Sequence, residues 1–291
     1  MRILVTGSTG QVGREVAREF ARLGHAVLTP GRQELDLMQR VSVTERIRAE
    51  AADWVINCAA YTRVDMAETE VEQAFTINRD SAGALAEAVA ACGGKLLHVS
   101  TDFVFDGKQS HPYKEDDSTN PLSIYGHSKL EGEQSVSAAL PAAVILRTAW
   151  VYGVNGHNFV KTMLRVAGEG KPLRVVDDQV GSPTWARDIA LAIVALVQAD
   201  ATGIYHYTSA GSVSWYGFAR AILSEAAAIG FDIRTEVVEP ITTAEYPTPA
   251  TRPSYSVLDT GKIQAQFDMP IPGWRDSLVA MLRELYQCEK S

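Results

Sequence analysis

Short apolar runs alternate with longer stretches in which apolar residues recur every three or four positions. Residues 3–6 are the first such run. Behind it Val12, Val16, Phe20 and Leu23 fall on one helical face, and Gly24 stands where a helix ends. Runs at 26–28, 54–58, 95–100 and 143–149 read as further strands. Between them, 41–49 predicts a short helix, 75–91 an Ala-rich helix before Gly93-Gly94, and 123–137 another helix. Continuous apolar runs suit strands covered on both faces. The β-α-β-α rhythm therefore predicts an α/β fold with a doubly wound parallel sheet. After Gly153 the rhythm loosens, and proline accumulates at Pro240, Pro247, Pro249, Pro253, Pro270 and Pro272. A smaller C-terminal α/β lobe is expected there. Residues 183–198 read as a helix and 204–207 as a strand returning to the first lobe. The expected division is 1–153, together with 183–207, for the sheet domain, and 154–291 mainly for the second lobe.

The chain has 291 residues, 46% of them hydrophobic, which is enough for a large core. A formal net charge of -8 argues against a nucleic-acid or anionic-membrane surface, since both need excess Lys and Arg. It leaves room for a small anionic ligand held by a few local donors. Cys58, Cys92 and Cys288 show no metal spacing, nor do the six histidines, so no metal is expected. His98, inside an apolar strand, reads as a satisfied core residue. The first apolar run is too short for a signal peptide, and no run approaches the ~20 residues of a membrane span. A cytoplasmic protein is the expectation.

The glycines at 7, 10 and 13 lie between the first strand and the first helix, with spacing GxxGxxG. Glycine there lets backbone N–H groups approach a pyrophosphate, and the helix N-terminus adds roughly half a positive charge. That context points to a dinucleotide. At the end of the second strand, where an acid would hold a ribose 2′-hydroxyl, the sequence is Thr29-Pro30-Gly31-Arg32. Arg32 leans towards NADPH, with NADH as the alternative because Glu34 and Asp36 are near. Asp36 either reaches the adenine or caps the next turn.

Tyr125 and Lys129 form a YxxxK pair on one helical face, and Thr101 follows a strand, at the end where open α/β sheets bind ligands. Reducing a ketone leaves an alkoxide that needs a proton. A tyrosine is a suitable donor if a nearby ammonium brings its pKa down towards neutrality. Thr101 is placed to hold the reacting oxygen, and Lys129 to hold the nicotinamide ribose as well.

With these residues in view the chain resembles the extended short-chain dehydrogenase/reductases, and more closely the dTDP-4-dehydrorhamnose reductases. The resemblance rests on segments 5–13, 57–62, 64–68, 100–107, 121–129, 147–153, 158–163 and 178–184, and on Arg252-Pro253, Ser256 and Leu258-Asp259. It implies a Rossmann-like fold and NADPH- or NADH-dependent reduction of the C4 ketone of dTDP-4-dehydro-β-L-rhamnose. Gly7, Gly10, Gln11, Val12, Gly13, Ala60, Tyr61 and Thr62 would contact the dinucleotide, with Asp36 and Leu37 near the adenine. Thr101, Tyr125 and Lys129 would be catalytic. Asp102, Phe103 and Trp150 would face the sugar, and Asn158, Lys161 and Arg252 the nucleotide diphosphate.

The residues themselves also allow Trp150 as core, Asn158 as a helix cap, Lys161 as a solvated residue and Arg252 as half of an ion pair. Related 4,6-dehydratases carry Asp-Glu after the threonine. Here Asp102 precedes Phe103, which favours simple reduction. Some similar proteins are magnesium-bridged dimers. Glu15 matches one ligand position, but Arg187 stands at the other and cannot ligate a cation, so a monomer or plain homodimer is expected. Two rival readings share the resemblance. One is a non-catalytic dinucleotide-binding module like the β-subunit of methionine adenosyltransferase, and the other is a reductase of another 4-keto sugar nucleotide.

Overall fold

The structure, a computed structural model, describes residues 1–290, the side chain of Ser42 apart. Strand β1 (Arg2–Thr6) leads into helix α1 (Gln11–Arg22), followed by β2 (Ala26–Leu28), α2 (Arg40–Glu50) and β3 (Trp54–Asn57). Two short helices, α3 (Val64–Ala67) and α4 (Val71–Phe75), pass through a π-helical turn at Thr76–Asp80 into α5 (Ser81–Ala91). Strand β4 (Lys95–Thr101), helix α6 (Ile124–Ala139) and β5 (Val144–Thr148) follow. Next come β6 (Val151–Tyr152), α7 (Phe159–Gly168), β7 (Leu173–Val176), β8 (Val180–Gly181) and β9 (Thr184–Trp185). The chain ends with α8 (Ala186–Gln198), β10 (Gly203–His206), β11 (Val213–Ser214), α9 (Trp215–Ile229), β12 (Val238–Ile241), α10 (Gly261–Phe267) and α11 (Trp274–Lys290).

Six parallel strands form the central sheet in the order β10-β5-β4-β3-β1-β2. Residue parity explains why it is covered twice. Ile3, Val5, Ile56, Leu97 and Leu146 face α1 and α8, packing on Val16, Phe20, Ile189 and Ile193. Leu4, Val55, Leu96 and Ile145 point the other way, onto Val43, Ile47, Leu85, Val89 and Val136 of α2, α5 and α6. Apolar residues at every strand position thus serve two cores. The chain runs from β1 outward to β2, then returns to β3 on the other side. This reversal opens a crevice at the carboxyl ends of β1 and β3.

A separate core holds the C-terminal helices. Val160 and Met163 of α7, Phe218 and Ile222 of α9, and Leu278, Met281 and Leu282 of α11 enclose Trp185 and Tyr152. Residues 203–206 pair with β5 inside the main sheet, and α8 packs on the same face as α1. The expected single helix over 75–91 is broken by the π turn, where Asn78 turns its side chain inward. The expected helix from 183 begins at Ala186, because Thr184–Trp185 is drawn into a short pairing with Val151–Tyr152. Among the described residues no helix is long and apolar enough to cross a membrane.

Candidate functional site

Above the crevice lies an open cleft of about 880 Å³. Its floor is the turn after β1. Gly7 has φ +65°, and the Gly10 N–H donates to the Gly7 carbonyl at 2.9 Å. A Cβ on Gly13 would stand 2.3 Å from the Gly7 oxygen, so the helix can start this close to the strand only with glycine there. Gly7, Gly10, Gln11, Val12 and Gly13 all line the cleft, as do Arg32, Asp36, Leu37, Ala60 and Thr62. This bare backbone cradle and open helix N-terminus fit a dinucleotide pyrophosphate. Asp36 accepts the Met38 N–H at 3.1 Å, which makes it a turn cap that still faces the cleft. Tyr61 is buried and is not among the residues that line the cleft. Its N–H donates to Asn78 and its hydroxyl to Glu70.

Thr101, Tyr125 and Lys129 all line the same cleft. Thr101 ends β4, and Ser123 caps α6 by accepting the Gly126 N–H, which orients the turn carrying Tyr125. The Thr101 hydroxyl donates to Asp102 at 3.0 Å and accepts the Phe103 N–H at 3.2 Å. Tyr125 lies within hydrogen-bonding reach of Thr101, and its ring meets Phe103 edge-on at 5.4 Å.

The expected downward shift of the tyrosine is not what the structure holds. Burial pushes Tyr125 up to about 12, opposed by the Thr101 hydrogen bond and helped by the Asp102 charge. The Lys129 ammonium is turned away, donating to the Val99 carbonyl at 2.7 Å. Burial pulls Lys129 down to about 8, while Glu133 and Cys58 act the other way. A tyrosine that keeps its proton is suited to giving one to a developing alkoxide.

On the side towards the second core, Trp150 adopts φ +47° and stacks on Trp215 with centroids 3.5 Å apart. The ring passes over Gly181, where a Cβ would lie 2.4 Å from the indole. Trp150, Trp215, Asp102, Phe103 and Arg252 all line the cleft. Arg252 is also bound to Asp65 through two hydrogen bonds of 3.0 and 2.7 Å.

Asn158 and Lys161 stand outside the cleft's lining. Asn158 caps α7 through the Lys161 N–H, and its amide donates to Gln11 and the Gly153 carbonyl. Lys161 donates to the Val154 carbonyl. They brace the loop beside the glycine turn. Glu15 pairs with Arg18 at 2.9 Å, and Arg187 reaches Glu284 at 3.4 Å.

Several polar groups around the cleft have partners that sequence reading does not find. Thr6, Asn57 and His98 form one row across β1, β3 and β4, set by strand register. Glu133 of α6 and Arg147 of β5 form a buried bidentate pair one turn beyond Lys129. Ser100 and Thr148 line the cleft with buried hydroxyls that have no hydrogen-bond partner among the described residues. A cross-strand register is the signal needed to find such groups, and one sequence does not contain it.

Residues 1–287 match the family described as RmlD substrate binding domain. A dTDP-4-dehydrorhamnose reductase of Sinorhizobium fredii is 45% identical over 285 residues, covering 95% of each chain. The crystal structure of a dTDP-4-dehydrorhamnose reductase from Clostridium acetobutylicum superposes with a TM-score of 0.94 at 38% identity, covering 99% of this chain and 100% of that one. A Bacillus anthracis dTDP-4-dehydrorhamnose reductase in complex with NADP gives 0.93 at 35% identity, over 97% and 99% of the two chains. Similarity of this depth along the whole chain, on top of the glycine cradle and the Thr-Tyr-Lys cluster, establishes that the chain belongs to the dTDP-4-dehydrorhamnose reductase family.

Proposed function

We propose that the chain reduces the C4 ketone of dTDP-4-dehydro-β-L-rhamnose to dTDP-β-L-rhamnose with NADPH, NADH being the weaker alternative. The observation that carries this reading is a buried Tyr125 beside Thr101 in a glycine-floored cleft. Gly7, Gly10 and Gly13 would hold the cofactor pyrophosphate, Arg32 a 2′-phosphate, and Lys129 the nicotinamide ribose. NADPH, when bound, supplies the hydride. Thr101 fixes the ketone oxygen by hydrogen bonding, and Tyr125 transfers its proton to that oxygen. The sugar C=O thereby becomes CH–OH. Asp102 and Phe103, with the Trp150–Trp215 stack, would wall the sugar, and Arg252 would steer the diphosphate.

The same reading assigns 1–153 with 183–207 to the dinucleotide and mainly 154–291 to the sugar nucleotide. It carries a cytoplasmic setting and a monomer or homodimer. A single residue separates catalysis from mere dinucleotide binding. Tyr125→Phe is expected to lower turnover by about two to four orders of magnitude while NADPH affinity stays near wild type. Full activity in that variant contradicts the role of Tyr125. Wild-type protein that binds NADPH but oxidises it with no dTDP-, UDP- or GDP-4-keto sugar supports the regulatory reading instead.

A further inference from the structure

His98 is buried in the middle of β4, with Asn57 on one side of its ring and Lys129 on the other. The hydrogen bonds around Asn57 settle which ring nitrogen carries the proton. Asn57 Oδ1 accepts the Ala59 backbone N–H at 3.2 Å and the Thr6 hydroxyl at 2.7 Å. Since a backbone N–H can only donate, this oxygen is fixed and Asn57 Nδ2 must face His98 Nδ1, at 2.9 Å. Nδ2 carries only protons, so His98 Nδ1 must offer its lone pair. A neutral imidazole then has its proton on Nε2. That Nε2 lies 3.3 Å from Lys129 Nζ.

An ammonium there meets an N–H head-on, two donors with no acceptor between them. A neutral amine has a lone pair and accepts the Nε2–H bond. We propose that His98 is a positioning residue for Lys129. Locked by Asn57 as the Nε2–H tautomer, it withholds an acceptor from the ammonium and thereby lowers the proton affinity of the lysine. The arrangement is a one-way relay: Ala59 and Thr6 fix Asn57, Asn57 fixes His98, and His98 acts on Lys129.

Other groups facing Lys129 do not do this. Glu133, one turn on along α6, favours the charged form, as does Cys58 from the loop after β3. Tyr125 lies one turn back on α6. Burial, with Lys129 itself, keeps His98 well below its ordinary value, so the ring stays neutral. The functional consequence rests on the reductase reading. Once its contact with Val99 is given up, a lysine with no second acceptor in the sheet among the described residues is free to turn to the cleft and to exchange a proton near neutral pH.

The test begins with wild-type protein and needs no variant. Long-range ¹H–¹⁵N correlation of ¹⁵N-histidine protein at neutral pH is expected to show His98 with its proton on Nε2. A proton on Nδ1, or a doubly protonated ring, overturns the proposal. Asn57→Asp places a carboxylate beside Nδ1, draws the proton there and turns the Nε2 lone pair to Lys129. The Lys129 titration, followed by its ¹³Cε shift, is expected to rise by about one unit. In a His98→Leu background the same change is expected to move it distinctly less. An equal shift there means the new charge acts directly, and also overturns the relay. With the 4-keto sugar, the alkaline limb of the kcat profile is expected to follow the Lys129 titration. If the titration moves and the limb does not, the relay stands and the part assigned to Lys129 in turnover fails.

Discussion

Asp102 is only 2% exposed, immediately after Thr101, and burial pushes its carboxyl up to about 6 from an ordinary 3.8. The hydrogen bond donated by the Thr101 hydroxyl offsets part of that rise. Because the folded value is above the unfolded one, the folded state binds the proton more tightly. The stability so gained is fully present below about pH 3.8 and is lost as pH rises through about 6. About two units correspond to about 3 kcal/mol over that window. Asp102→Asn removes the titration. It also introduces a buried amide nitrogen, whose cost is the same at every pH. The relevant quantity is therefore how the stability difference between variant and wild type changes with pH. Urea unfolding from about pH 4 to about pH 7.5 is expected to show the variant gaining up to about 3 kcal/mol on the wild type as pH rises. Parallel stability profiles would refute the assignment of a raised carboxyl to Asp102.

Gly13→Ala drives a methyl group into the Gly7 carbonyl, and NADPH affinity measured by calorimetry is expected to fall at least about tenfold, ~1.4 kcal/mol or more. Arg147→Met leaves Glu133 charged, buried and unpaired, so chemical denaturation is expected to show a loss of about 3–5 kcal/mol. Adding Glu133→Leu to that variant is expected to recover most of the loss, since the cost lies in the orphaned charge rather than in the missing pair.

Much of the sheet was legible because strands with apolar residues at every position must be covered twice. Runs such as 3–6 and 143–149 carry that mark even in a single sequence. The π turn at Thr76–Asp80 was not legible. A composition that favours a helix does not reveal one extra residue accommodated per turn so that Asn78 can reach the Tyr61 backbone and Ser128. Asn158 shows a limit of another kind. Its sequence context allowed both a cap and a ligand contact, and the fold spends its donors and acceptors on α7, Gln11 and Gly153. For Tyr125, the YxxxK spacing suggested an ammonium beside a phenol. The spacing puts both on one helical face, yet the lysine's four-carbon stem carries its charge to Val99 instead, and burial then dominates the phenol. The row Thr6, Asn57 and His98 depends on register between strands distant in sequence.

In the proposed reaction this cleft delivers a hydride to C4 of a dTDP-4-keto sugar. This transfer is tested most directly by supplying NADPH deuterated at the transferring position and analysing the product by mass spectrometry and NMR. One deuterium is expected at sugar C4 in dTDP-rhamnose with the wild-type protein, and none formed at a comparable rate with Tyr125→Phe. A product without deuterium at C4, or no product from a protein that still binds NADPH, would contradict it.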